Sequence, residues 1–316
     1  MSNKKESPRI RVFVPPSFEG VASVAVLEEV IHDDIDVEVR YTRHLDFRDY
    51  NQFSDVEIVI ILGLAFNGYI LSDDFYINVD VPFGDFLHFS TFGESIEGKH
   101  IVSTVSEEMD PIKTLYQFLH QSPESSILAK HTTFTEKSFH IVEAVNAYRT
   151  WTWENNDTTR VLLALYNAGY KHMPRLIRNL SLPETVKKYA PLIKGQLEKM
   201  NDYIQRKTDI VKTTTVDIAG VSCLLKVVFA EEYINELANH LLTQENSSMP
   251  IIVCVGRTTK GNDIFSIRTR NIHAGKIAYR INDGNGKESV ASVFSEIGYS
   301  EFMRNVITSA LNQSNG

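Results

Sequence analysis

Apolar runs and amphipathic stretches alternate along the first 110 residues. Ile10–Val14 is a short continuous apolar run, the pattern of a buried strand. Gly20–Ile31 carries apolar residues at Val21, Val24, Ala25, Leu27 and Val30, a helical spacing. Val37–Tyr41 predicts a second strand. Val56–Leu64 is nearly all apolar, as expected of a central strand covered on both faces. Phe86–Phe89 and His100–Thr104 predict further short strands. Such alternation implies a parallel sheet with crossover helices.

Helical spacing then takes over. Helices are expected at Pro111–His120, Thr135–Tyr148, Thr158–Tyr170 and Leu182–Ile204, with a Ser-rich loop at Gln121–Ser126. Asp157 is placed to cap the third of these and Gly169 to end it. The polar stretch Gln205–Thr215 reads as a linker. It separates a first domain, residues 1–204, from a second, residues 216–316. In the second, Ser222–Val228, Ile251–Val255 and Ile264–Arg268 predict strands, while Glu231–Leu242 and His273–Ile281 predict helices. The chain shows no internal repeat.

Length and composition agree with two soluble α/β cores: 316 residues, 43% hydrophobic and 23% charged. Met1–Arg11 is polar, and the first apolar run is too short for an export or membrane segment. Cys223 and Cys254 sit in separate apolar runs, which predicts buried free thiols, a reducing cytoplasmic setting and no metal knuckle. The net charge of −8 is unevenly spread, with 24 acidic against 12 basic side chains in residues 1–150. That half disfavours binding along a long nucleic acid, but not a short nucleotide in a small basic pocket.

In an open α/β sheet, ligands gather beyond the carboxyl ends of the strands. The loop after the first strand is Pro15-Pro16-Ser17-Phe18-Glu19-Gly20. It resembles the first motif of the DHH phosphoesterase superfamily, His-x-Asp-x-Asp-Gly, with Pro15, Ser17 and Glu19 at the ligand positions. The central strand runs into Gly63 where the family has an Asp. Phe86-Leu87-His88-Phe89-Ser90 stands where the family has Asp-His-His. Ala147-Tyr148-Arg149-Thr150-Trp151-Thr152-Trp153 resembles the oligoribonuclease branch, with Arg149 in place of a metal-binding Asp. Near the C-terminus, Arg268 and Arg270 and the loop Asp283-Gly284-Asn285-Gly286-Lys287 resemble the DHH-associated domain, with Lys287 where the family has His.

The resemblance implies a DHH-type parallel-sheet domain, a smaller C-terminal α/β domain and a cleft between them. Two-metal hydrolysis needs several ligands around two cations. This motif set retains too few, which implies no catalytic residue, no metal and no cofactor. An inactive homologue is the leading expectation. It would hold a small phosphate or nucleotide through Arg149, Arg268, Arg270, Gly284, Gly286 and Lys287, the glycines offering backbone N–H groups. Alternatively, its acidic first half would meet a protein partner. By analogy, such a protein suits a phage or mobile element, as a nucleotide sponge or an inhibitor of a host enzyme. The competing expectation is an active phosphodiesterase or exonuclease on short oligonucleotides, with Mn or Mg held by Glu19, Asp46, Asp85 and His88. A structural homo-oligomer is the third. Trp151 and Trp153 read as packing anchors, and the acidic runs at Asp33-Asp34, Asp73-Asp74 and Glu107-Glu108 as solvated turns.

Overall fold

The computed structural model describes residues 8–45, 50–53, 55–65, 84–93, 95, 101–121, 124, 126–218, 220–244, 248–259 and 262–295. The chain forms two compact units, Met1–Leu197 and Glu198–Gly316.

The first unit is built on five parallel strands: β1 (Arg9–Val14), β2 (Asp36–Tyr41), β3 (Ile58–Leu62), β4 (Asp85–Ser90) and β5 (Ile101–Val105), in the order β2-β1-β3-β4-β5. β3 is central and every residue of it is buried, which is why its sequence lacks alternation. One face of the sheet packs Phe13, Val59, Ile61 and Phe86 around Phe53. Phe53 meets Phe13 and Phe86 edge-on at 5.5 and 5.8 Å.

Among the described residues, five α-helices lie wholly within this unit: α1 (Phe18–Val30), α2 (Pro111–Gln121), α3 (Glu136–Arg149), α4 (Asp157–Ala168) and α5 (Met173–Ile177). α1 packs on β1, α3 and α5, so it is buried nearly all round. Ser17 caps it, Oγ accepting the Gly20 N–H at 3.3 Å. Thr135 and Ser138 form a reciprocal capping box on α3. α6 (Leu182–Asp209) carries the chain from the first unit into the second and is kinked at Tyr189, two residues before Pro191.

The second unit holds one six-stranded sheet in the order β10-β11-β9-β8-β7-β6. Its strands are β6 (Lys212–Ile218), β7 (Val221–Phe229), β8 (Ile251–Thr259), β9 (Asn262–Arg270), β10 (Asn285–Gly286) and β11 (Val290–Ser295). Among the described strands of this sheet, only the β7–β8 pair is parallel. α8 (Ala274–Asn282) packs on Leu225, Val227, Ile252, Cys254, Phe265, Ile267, Ala291 and Val293. α7 (Ile234–Thr243) crosses the opposite face, where the buried Lys226 donates to the Leu241 carbonyl at 2.8 Å. Both cysteines are free and buried, and burial pushes the Cys254 thiol up to about 12.

Gln205–Thr215, expected as a linker, is divided between the last turn of α6 and strand β6. β6 escaped the pattern because Lys212–Thr215 are exposed on an edge strand and need no apolar face. Among the described residues no helix is long and apolar enough to cross a membrane.

Candidate functional site

The carboxyl ends of β1, β3 and β4 bring the first-unit candidates together. Gly63, at the end of β3, has φ +70°, a left-handed backbone that suits glycine, and donates its N–H to the Phe89 carbonyl at 2.8 Å. A Cβ built on Gly63 would lie 3.6 Å from the Pro15 ring, so Pro15 stands over this glycine. Two positions where the resemblance expects metal ligands are therefore packed against each other.

His88 is fully buried within β4. Its Nε2 lies 2.9 Å from the Leu64 carbonyl, which can only accept, so Nε2 carries the proton. Nδ1 then accepts from the Ser103 hydroxyl at 2.8 Å. Burial, opposed by the Leu64 hydrogen bond, pushes the ring down to about 4, so it is neutral with both nitrogens engaged. Asp85 begins β4 and lies at the other end of the sheet. Its Oδ2 accepts from Ser126 Oγ (2.7 Å), Ile127 N (2.6 Å) and Leu128 N (3.2 Å). A six-residue strand puts it about 16 Å from the strand-end loops, so it cannot join Glu19 and His88 in a metal set.

The charged group missed by pattern reading is Asp110. Asp-Pro before an amphipathic stretch signals a helix cap, but gives no sign of what surrounds it. Asp110 is 1% exposed, accepts the Ile112 N–H at 3.0 Å, and donates its own N–H to Asn146 Oδ1 at 3.1 Å. Burial first, then the Glu19 carboxylate, pushes its carboxyl up to about 7, against the Ile112 amide and Arg149. Arg149 lies one turn beyond Asn146 on α3, and the rings of Phe18 and Tyr148, the chain neighbours of Glu19 and Arg149, meet at 4.6 Å with a 55° tilt. Trp153 is buried against Tyr148, with ring centroids 6.3 Å apart, and Trp151 is half-buried with φ 63°.

In the second unit, strand register collects the other candidates. Arg268 pairs with Val253 on β8 and with Val290 on β11, and Val253 pairs with Lys226 on β7. Lys287 faces Val290 through a 2.7 Å N–H···O=C bond. Directly opposed residues share a face, so Lys226, Arg268 and Lys287 lie in one row on the α7 side. By the same alternation Arg257, Ser266, Arg270 and Ser292 project on that side. Arg268 is held by Asn235 of α7 (Nη2–Oδ1 2.8 Å) and donates to the Ile267 carbonyl at 3.0 Å. Arg257 Nε is buried and has no hydrogen-bond partner among the described residues.

Gly284 and Gly286 follow α8 directly. Their loop opens a hairpin rather than a helix, and Gly286 pairs with Ala291 in the ladder. The carbonyls of Lys287 and Glu288 accept the N–H groups of Gly275 and Ala274 at 2.8 and 2.6 Å, capping α8. A Cβ at Gly284 would meet Ser292 and Val293, and one at Gly286 would meet Ala291. These glycines permit close packing. Arg149 belongs to the first unit, beside carboxylates, whereas Arg268, Arg270 and Lys287 belong to the second.

No family model and no curated relative matches the sequence. Solved structures do. One described as the DHH domain of a member of a family of ribosomal proteins shares 12% identity over 97% of this chain and 87% of its own, with a TM-score of 0.57. The pGpG-specific phosphodiesterase PggH from Vibrio cholerae shares 12% over 97% and 99%, with a TM-score of 0.52. A manganese-bound RecJ exonuclease shares 12% over 99% and 91%, again with a TM-score of 0.52. This chain has the DHH-type fold. The likeness extends through both units, as the order of the sequence motifs implied.

A DHH-type fold implies divalent metals at the strand-end loops, and the described residues do not fit them. Glu19 is the one carboxylate on the loop after β1, Gly63 offers none, both nitrogens of His88 are engaged, and Arg149 brings a positive charge. Among the described residues, no three of His, Cys, Asp and Glu are grouped to hold a metal ion. Asp46, Asp49 and Asp73-Asp74 lie outside the described residues.

Proposed function

We propose that this DHH-fold protein binds a small phosphate-bearing ligand, such as a short nucleotide, without hydrolysing it by a two-metal route. The observation that carries this reading is the cationic face of the second sheet, where Arg257, Arg268, Arg270 and Lys287 project on one side. Guanidinium groups match phosphate oxygens in geometry, and a lysine adds a point charge. A buried Arg257 Nε with no acceptor among the described residues favours an incoming anion. The misfit of the first unit to metals argues against hydrolysis, since a two-metal displacement needs ligands that Gly63, His88 and Arg149 do not supply.

Fluorescent di- and pentanucleotides test the proposal, with anisotropy reporting binding and chromatography reporting cleavage. The expected result is binding without turnover. Arg268→Ala or Lys287→Ala should each weaken it about 10- to 100-fold, the size of one charge-assisted hydrogen bond. Manganese-dependent cleavage that disappears in Glu19→Gln would establish the competing phosphodiesterase reading. Binding that survives both cation replacements would move the ligand elsewhere.

A further inference from the structure

Two stripes run along α2. Ile112, Leu115 and Leu119 are buried, and the helix packs on β4 and α3. Lys113, Tyr116, Gln117, His120 and Gln121 form a second stripe, spaced as one face of a helix. That face lines a cavity of about 300 Å³, with Phe139, Val142 and Glu143 of α3 on its other side and Phe134 from the segment before α3. Phe134 meets Tyr116 edge-on at 4.7 Å and His120 at 5.5 Å. Phe139 lines the cavity yet is 50% exposed. The polar groups divide into two sets. Lys113 Nζ pairs with the Glu143 carboxylate at 2.9 Å, Tyr116 Oη lies 3.3 Å from Ser138 Oγ, and Thr135 serves the α3 cap. The side-chain amides of Gln117 and Gln121 make no hydrogen bond among the described residues.

We propose that this cavity binds one uncharged, planar nitrogen heterocycle of the nucleobase kind, stacked on Phe139 and read by the amides of Gln117 and Gln121. Small-molecule sites span roughly 300–1,000 Å³, so a cavity at the lower end takes a single ring system and excludes an oligonucleotide. Aromatic side chains offer π-faces to any base, and stacking would cover the exposed Phe139 ring. Lys113 and Glu143 neutralise each other, which leaves no net charge to select an ion. An amide presents a donor beside an acceptor, the pairing that the N6–N7 edge of adenine complements. Gln117 and Gln121 stand one helical turn apart, so two such amides serve the same cavity. All of these residues belong to the first unit, whereas Arg268 and Lys287 belong to the second. The base site is therefore additional to the phosphate site proposed above and does not rest on it.

Calorimetric titration of the full chain with adenosine tests the site, because a nucleoside carries no phosphate for Arg268 or Lys287. Wild type should bind it, and Arg268→Ala should bind it equally well. Phe139→Ala should weaken binding about tenfold or more. Replacing Gln117 and Gln121 together by leucine should cost about tenfold and leave adenosine no better bound than indole, a similar ring system with one donor and no acceptor. Should Phe139→Ala melt well below wild type, the glutamine replacements decide, since they leave the aromatic walls in place. No adenosine binding at millimolar concentration would overturn the proposal, as would binding that ignores both sets of replacements. Adenosine binding lost in Arg268→Ala would put the base in the second unit, and the proposal fails. Indole bound by wild type as tightly as adenosine would make the cavity a seat for a partner's apolar side chain, which also overturns it. Nucleotide binding through Arg268 and Lys287 has no part in these readouts, so either reading can fail alone.

Discussion

Asp110→Asn should make the protein more stable than wild type at about pH 8, by on the order of 4 kcal/mol, and leave it nearly unchanged only at about pH 3, below both titrations. The Asp110 carboxyl titrates near 7 in the folded chain and near its ordinary value of 3.8 when unfolded. Between those values the folded chain holds a proton that the unfolded chain has released. Stability therefore declines as pH rises through this window, and beyond it the folded chain carries a buried, ionised carboxylate. Asparagine removes that charge and keeps an Oδ1 for the Ile112 N–H, and it is itself a favoured helix cap. Urea unfolding across the pH range measures the difference. An Asp110→Asn variant destabilised equally at both pH values would show that the carboxylate is wanted in its ionised form.

His88 supplies the opposite slope. Its ring titrates near 4 when folded and near 6.5 when unfolded, so stability is lost as pH falls from 6.5 through 4. Over that shared window Asp110 gains what His88 loses, and the contribution of the pair to the wild-type profile is nearly flat. Removing either group exposes the other. His88→Gln should lean toward greater stability at low pH and Asp110→Asn toward lower stability there, each relative to its own value near pH 7. Two variants with opposite slopes from one flat parent would be hard to produce by any other pair of groups.

Apolar periodicity made most of the fold legible. Val56–Leu64 announced β3 because a strand covered on both faces has no polar face to show. Where the physics lay across the chain, the sequence was silent. β6 is polar because an edge strand can be. β11 is absent from the elements that the pattern predicts; it follows closely on the Gly-rich loop, and only register shows Gly286 pairing with its Ala291. Arg268 and Lys287 were legible as cations, but only register sets them on one face. Asp110 carries no local signal beyond a helix cap, because its perturbation comes from burial and from Glu19 and Arg149 on two other helices.

Gly20→Ala should destabilise the first unit by about 3 kcal/mol, the upper end of an overpacking cost, and more if the loop cannot move. Gly20 lies in the first turn of α1, directly beneath the backbone carbonyl of Pro15, and a Cβ there would be driven onto the Pro15 oxygen. The obstacle is backbone, so no side-chain rotation relieves it. Relief would require lifting Pro15, which also stands over Gly63, or tilting α1, which is buried on nearly every side. The damage would then reach the strand-end loops: Ser17 would lose its hold on the Gly20 N–H, and Glu19 would move relative to Asp110 and Arg149. Gly195→Ala is the matched control, because a Cβ there meets nothing within 4 Å on the helix α6, where alanine is the better helix former. Denaturant midpoints for the two variants should shift in opposite directions. Equal, small shifts would mean that the Pro15–Gly20 loop yields easily, and the packing that joins α1 to the strand-end loops would be looser than the contacts at Gly20 and Gly63 imply.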